Sequence, residues 1–196
     1  RYARYIRHIR SLLLDEMGFR DRRILVLGAG GFTVSHREPS NHYTYVDIDP
    51  AVREIAEKHF LHAAARGDFI ADDARRFVLQ TQERFAAVLV DVYGSHSSIP
   101  GHLVTREFWL ATRRVLDPDG LLIANLILDS ALATPYSRNL LATIESVYGR
   151  CAVEVLQKKQ ALANVVVTCR NGEPPEPARL FIDERNTADF DLARSR

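Results

Sequence analysis

The chain has 196 residues, 46% of them hydrophobic, enough for one domain with a sizeable core. Its 26 basic and 25 acidic side chains leave a formal net charge of +1, so nothing in the balance calls for nucleic acid or an anionic membrane surface. No apolar run reaches the roughly 18 residues of a membrane span, and no secretory signal is visible. Two cysteines, Cys151 and Cys169, are too few for a disulfide scaffold; they read as buried free thiols in a reducing compartment, and the protein as cytoplasmic.

Residues 2 to 17 carry Tyr2, Tyr5, Ile6, Ile9, Leu12, Leu13 and Met17, a helical stripe that Gly18 stops. Ile24 to Leu27 is a short apolar strand closed by Gly28, Ala29, Gly30 and Gly31. A second strand, His42 to Val46, ends in Asp47. Asp49 and Pro50 open a helix with Val52, Ile55, Ala56 and Phe60 inward. Phe69 to Ala71 is a third strand, followed by Asp72, Asp73 and a helix from Ala74 with Phe77 and Val78 inward. Ala86 to Val90 is continuously apolar, which predicts a central strand covered on both faces; it ends in Asp91. A long Gly-, Ser- and Pro-containing connection runs from Val92 to Val104. Thr105 caps the next helix, whose apolar side is Phe108, Trp109, Ala111, Thr112 and Val115. Asp117 to Gly120 reads as a turn and Leu121 to Ile127 as the fifth strand. A helix over Pro135–Val147 precedes two strands, Ala152–Leu156 and Asn164–Cys169, whose short link with Lys158 and Lys159 permits an antiparallel hairpin. Residues 171–196 read as a surface tail with one apolar contact near Leu180, Phe181 and Ile182.

Strand and helix thus alternate. The expected fold is α/β: an open, doubly wound, Rossmann-like sheet, mostly parallel with an antiparallel last strand, in one domain over 1–170. In such sheets ligands bind beyond the carboxyl ends of the strands. Glycines after the first strand let the backbone approach a ligand closely, and Asp47, nineteen residues after Gly28, reaches the ribose hydroxyls of a nucleotide held there. Position 33 is Thr33, so the full G-x-G-x-x-G of a dinucleotide site is missing, which argues against an NAD dehydrogenase. A ligand without phosphate, such as an adenosyl sulfonium compound, is unaffected by that loss. Asp47, Asp72, Asp73 and Asp91 all fall at one edge of a parallel sheet. Asp91 follows the most apolar strand and is the candidate general base; Tyr93 beside it reads either as an aromatic wall over a substrate or as an anchor for the loop. His96 and His102 lack a third partner at convincing spacing, so no metal is assigned. No serine sits in a G-x-S-x-G elbow.

The segments GAGGF, YVDIDP, IADDARRFV, VLVDVYG with IPGHLVTREFW, and LDPDGLLIANL together resemble the spermidine synthase family, which uses the fold of class I S-adenosylmethionine-dependent methyltransferases. The match covers about Ile6 to Cys169. The resemblance implies the strand order 3-2-1-4-5-7-6, with decarboxylated S-adenosylmethionine over Gly28, Ala29, Gly30 and Gly31. It places Asp47, beside Ile48, on the ribose, Asp73 on the adenine amino group, the Ala74 amide on the ring, and Asp91 as the base that takes a proton from an attacking small amine. It also implies a homodimer; Tyr2, Tyr5, Phe108 and Trp109 are read either as core cover or as its patch. Three departures stand out. Gly31 replaces an acid that helps select the decarboxylated donor. Gly94 replaces a second acid of the D-S-S-D segment. The family's N-terminal β-domain is absent from this reading of the chain. The leading expectation is aminopropyl transfer; the alternatives are a methyltransferase using intact S-adenosylmethionine and a non-catalytic adenosyl-binding homologue.

Overall fold

The structure, a computed structural model, describes residues 3–93, 99–156 and 160–172. The N-terminal stripe forms α1 (Arg4–Ser11), continued by a π-turn over Leu12–Glu16. Ile6, Ile9 and Leu13 are buried, as their spacing predicts. Strands β1 (Arg23–Leu27), β2 (His42–Asp47), β3 (Asp68–Ala71), β4 (Phe85–Val90) and β5 (Leu116–Asp129) pair with one another in parallel. β6 (Ala152–Val155) and β7 (Leu162–Arg170) complete the sheet, with β7 antiparallel to both β5 and β6. The order is β3-β2-β1-β4-β5-β7-β6, as the resemblance implied. Every residue of β4 is buried, between β1 and β5 at the centre.

Alternate residues of β1 feed two cores. Leu25 and Leu27 face a layer containing α3 (Ala74–Gln80), α4 (Arg106–Arg114) and α5 (Pro135–Tyr148). Ile24 and Val26 face α1 and α2 (Val52–Ala56). Trp109 and Phe108 are wholly buried in the first core, so neither forms a dimer patch. Thr105 caps α4 by accepting the Phe108 amide, as predicted.

The local readings need four corrections. The connection from β1 to β2 is a series of turns, so the strand–helix alternation fails there. Phe32, at φ +51°, is packed under Tyr45 and Phe69, with ring centroids at 4.4 and 5.8 Å, and the Tyr45 hydroxyl accepts the Ser35 amide. Second, Ile55 and Phe60 are exposed; the buried line runs through Ala56 and Leu61 instead. A π-turn over Glu57–Leu61 explains the five-residue step, because i+5 replaces i+4 as the neighbour on one face. Third, Asp117–Gly120 is a bulge inside β5: pairing passes from Phe85↔Leu116 to Ala87↔Leu121, and the strand runs on to Asp129. Fourth, Cys151 and Cys169 are joined in a disulfide. The pairing of Ala152 with Thr168 sets them directly opposite, with Cα atoms 4.5 Å apart. The free-thiol argument for a reducing compartment falls with this bond.

The readings on Tyr2, Gly94, His96, Lys158, Lys159 and the tail beyond Gly172 lie outside the described residues. Among those described, no helix is long and apolar enough to cross a membrane.

The bridge closes a loop with a sequence separation of 18. Its loss, by dithiothreitol or by Cys151→Ser with Cys169→Ser, is expected to lower unfolding free energy by about 2–3 kcal/mol. Urea denaturation with and without reductant reads this directly; coincident midpoints would contradict it.

Candidate active site

The carboxyl ends of β1, β2 and β4 are tied together by their backbones. The Gly28 amide donates to Val46 O at 2.8 Å, and the Asp91 amide donates to Leu27 O at 2.8 Å. Gly28 sits at φ +90°, and a Cβ there would lie 2.3 Å from Asp91 O, so no other residue fits. Gly30 continues the turn at φ +49°. Asp47 closes it from β2: its Oδ2 accepts the Ala29 amide at 2.8 Å and its Oδ1 the Asp49 amide at 3.0 Å. Acid and glycine loop therefore form one unit.

Beyond these strand ends lies a cavity of about 360 Å³. Gly28, Gly30, Asp47, Ile48, Asp73, Ala74, Asp91 and Tyr93 all line it, together with Val46, Val92, Pro100, His102 and Leu103. Two of the expected residues stand apart. Ala29 is buried behind the loop, and Gly31 faces a neighbouring cavity. Ile48 is 74% exposed, leaving a large apolar side chain at the rim.

Asp73 has a structural duty that the strand-end pattern left open. It is the N-cap of α3, with Oδ1 accepting the Arg76 amide at 2.9 Å. Its Oδ2 faces His102 Nε2 at 3.1 Å. Burial would raise its carboxyl, but the Arg76 amide and His102 outweigh that and hold it below the ordinary value. Asp72 turns aside to pair with the Arg76 guanidinium. Among the described residues, no group of three or more His, Cys, Asp or Glu is arranged to hold a metal ion.

Asp91 is a half-buried acid in the wall of the cavity. Loss of water pushes its carboxyl above the ordinary value. Opposing this, Asn125 Nδ2 donates to its Oδ1 at 2.8 Å, and the Tyr5 and Tyr93 hydroxyls are near enough to favour the ionised form. Tyr93 donates to the Asn125 carbonyl at 2.8 Å, and Asn164 Nδ2 donates to Asn125 Oδ1 at 3.1 Å. Burial, then the Asp91 charge, pushes both tyrosine hydroxyls upward, so they remain protonated donors. A carboxylate so held can attract a cation and accept a proton.

Sequence reasoning missed Tyr5, Asn125 and Asn164 as site residues. Tyr5 stands within the apolar stripe of α1, where its hydroxyl gives no separate signal. Asn125 and Asn164 left one signal, a lone amide inside or beside an apolar strand, in IANLIL and NVVV. A buried amide needs a partner, and here the two partner each other and Asp91.

Asn125→Ala removes the amide donor from Asp91. The Asp91 titration is expected to move further up, and stability to fall by about 1–3 kcal/mol. Carboxyl carbon NMR and thermal unfolding check both; an unmoved Asp91 titration would contradict the assigned contact.

Residues 1–170 match the spermine/spermidine synthase domain. A polyamine aminopropyltransferase of Vibrio vulnificus is 33% identical over 135 residues, covering 65% of this chain and 44% of that protein. An eEF1A lysine and N-terminal methyltransferase homolog of Drosophila pseudoobscura pseudoobscura is 30% identical over 166 residues, covering 79% of this chain and 24% of that protein. The crystal structure of a probable spermidine synthase from Corynebacterium glutamicum superposes with a TM-score of 0.70 at 23% identity, over 97% of this chain and 69% of that one, a likeness of fold. The chain spans about half the length of the curated aminopropyltransferases it matches. With the domain match reaching across the sheet and its strand-end acids, the chain belongs to the spermine/spermidine synthase domain family.

Proposed function

We propose that the chain transfers an aminopropyl group from decarboxylated S-adenosylmethionine to a small amine, with Asp91 as general base. One observation carries this reading: a half-buried carboxylate, pushed above its ordinary value by loss of water, stands in the wall of the cavity that also holds the glycine loop and Asp47. In this reading Asp47 holds the ribose hydroxyls over Gly28 and Gly30. Asp73 accepts from the adenine amino group, the Ala74 amide meets the ring, and Ile48 covers the nucleoside from the rim.

The chemistry follows from charge. A protonated amine has no lone pair for attack, and a sulfonium repels cations. Asp91 attracts the ammonium and takes its proton. The amine nitrogen then bonds to the propyl carbon next to sulfur, the carbon–sulfur bond breaks, and sulfur keeps the electron pair as a neutral thioether. Water exclusion strengthens the carboxylate's attraction for the developing positive charge.

Methyl transfer from intact S-adenosylmethionine is the second reading. It is favoured by Gly31, which places no acid beside the loop, and by the similarity to the Drosophila methyltransferase homolog. The same base and the same adenosyl cavity would serve it.

Mass-spectrometric assay of amine products with each donor separates the two readings. Asp91→Asn is expected to lower kcat by about 10²–10⁴-fold. Turnover needs ionised Asp91, so the wild-type rate falls as pH drops through a midpoint above the ordinary carboxylate value, and the variant's residual rate lacks that limb. Full turnover by Asp91→Asn would overturn the assignment of the base.

A further inference from the structure

A second cavity, of about 620 Å³, opens beside Tyr5. Tyr5 borders it, and its hydroxyl also meets Asp91, which lines the first cavity, so this side chain links the two sites. The second cavity is framed by Gly31, Thr33, His36, Arg37 and Phe60, and among the described residues no aspartate or glutamate lines it. Arg10 adds charge from behind, with Nη1 donating to the carbonyls of Val34 and His36, each at 2.8 Å. Burial, then Arg37 and Arg10, depresses the His36 imidazole, which registers the positive field at this wall. On the next element, Glu57 is engaged by Arg53 and by the Ala65 amide. Asp91, across Tyr5, is engaged by Asn125.

Gly31 keeps this space open. A Cβ there would meet Thr33 Cγ2 at 3.3 Å and the Phe60 side chain at 3.9 Å, so any side chain would project toward the cavity. Among the described residues, no carboxylate forms a salt bridge with Arg37. A second ammonium group entering here meets like charge and is disfavoured. A carboxylate meets a guanidinium whose fork matches its two oxygens.

We infer that the cavity between Gly31 and Arg37 receives a carboxylate carried by the substrate. This rests on the reading of the first cavity as the donor site. The carboxylate has two possible carriers: the tail of an intact sulfonium donor, or an amino acid acting as acceptor amine. Either keeps the reacting centre at Asp91. The first favours methyl transfer, and the second is compatible with aminopropyl transfer to an amino acid instead of a polyamine.

Two ligand pairs that differ only by a carboxylate test this. Calorimetry compares S-adenosylmethionine with its decarboxylated form, and ornithine with 1,4-diaminobutane, the amines titrated with and without methylthioadenosine. The carboxylated member of at least one pair is expected to bind roughly tenfold tighter, a difference typical of one charge-assisted contact. Arg37→Glu and Gly31→Asp should both abolish or reverse that preference, while the conservative Arg37→Lys retains part of it. Preference in the donor pair assigns the carboxylate to the donor; preference confined to the amines assigns it to the acceptor. Equal or weaker binding of the carboxylated member in both pairs, including no binding at all, overturns the inference. Preferred binding of ornithine without any binding of donors or methylthioadenosine would uphold the carboxylate site and defeat the adenosyl reading instead.

Discussion

The end of β1 passes so close to the end of β4 that a single methyl group does not fit between them. A Cβ on Gly28 would lie 2.3 Å from the Asp91 carbonyl oxygen. That contact brings the glycine turn and the candidate base into one wall. The backbone bonds from Gly28 to Val46 and from Asp91 to Leu27 lock three strand ends in register. Asp47 then closes the turn through the Ala29 amide. The cavity is a consequence of strand order: β1 lies between β2 and β4, and their connections leave on opposite faces.

Within that wall, the fold sustains a partly desolvated carboxylate, Asp91. Bringing an ionised carboxylate out of water costs several kcal/mol, and each hydrogen bond to the charge returns about 1.5–3 kcal/mol. Asn125, Tyr5 and Tyr93 offset the cost in part, and the Asp91 carboxyl remains above its ordinary value. Such a balance suits proton acceptance better than full compensation, which would leave a weaker base. The antiparallel β7 matters here, because it brings Asn164 to Asn125 and fixes the amide that meets Asp91. The N-terminal helix contributes as well: Tyr5 joins Asp91 while forming the near wall of the cationic cavity.

Much of this was legible in the sequence. Apolar runs closed by glycine or aspartate marked β1, β2 and β4, and the position of each acid at a strand end placed it at the correct edge of the sheet. The strand order and the individual site roles came from family resemblance, since periodicity carries no information on which strands are neighbours. What remained hidden depends on three-dimensional pairing. Cys151 and Cys169 meet only because β6 and β7 pair in one register. Asn125 and Asn164 find each other across β5 and β7. Leu61 takes the buried place expected for Phe60 because a π-turn alters the helical step, a change that a 3.6-residue pattern does not encode. Gly31, read as part of the adenosyl loop, turns instead to the second cavity, where its missing side chain leaves room beside Arg37.

In the proposed function, one wall joins an adenosyl site to Asp91. A crystal structure with methylthioadenosine, the thioether left after aminopropyl transfer, tests that arrangement. The expected result is the ribose on Asp47, the adenine against Asp73 and Ala74, and the sulfur pointing to the junction of Asp91 and Tyr5. A nucleoside bound elsewhere on the chain, or bound here with its sulfur turned away from Asp91, would contradict it.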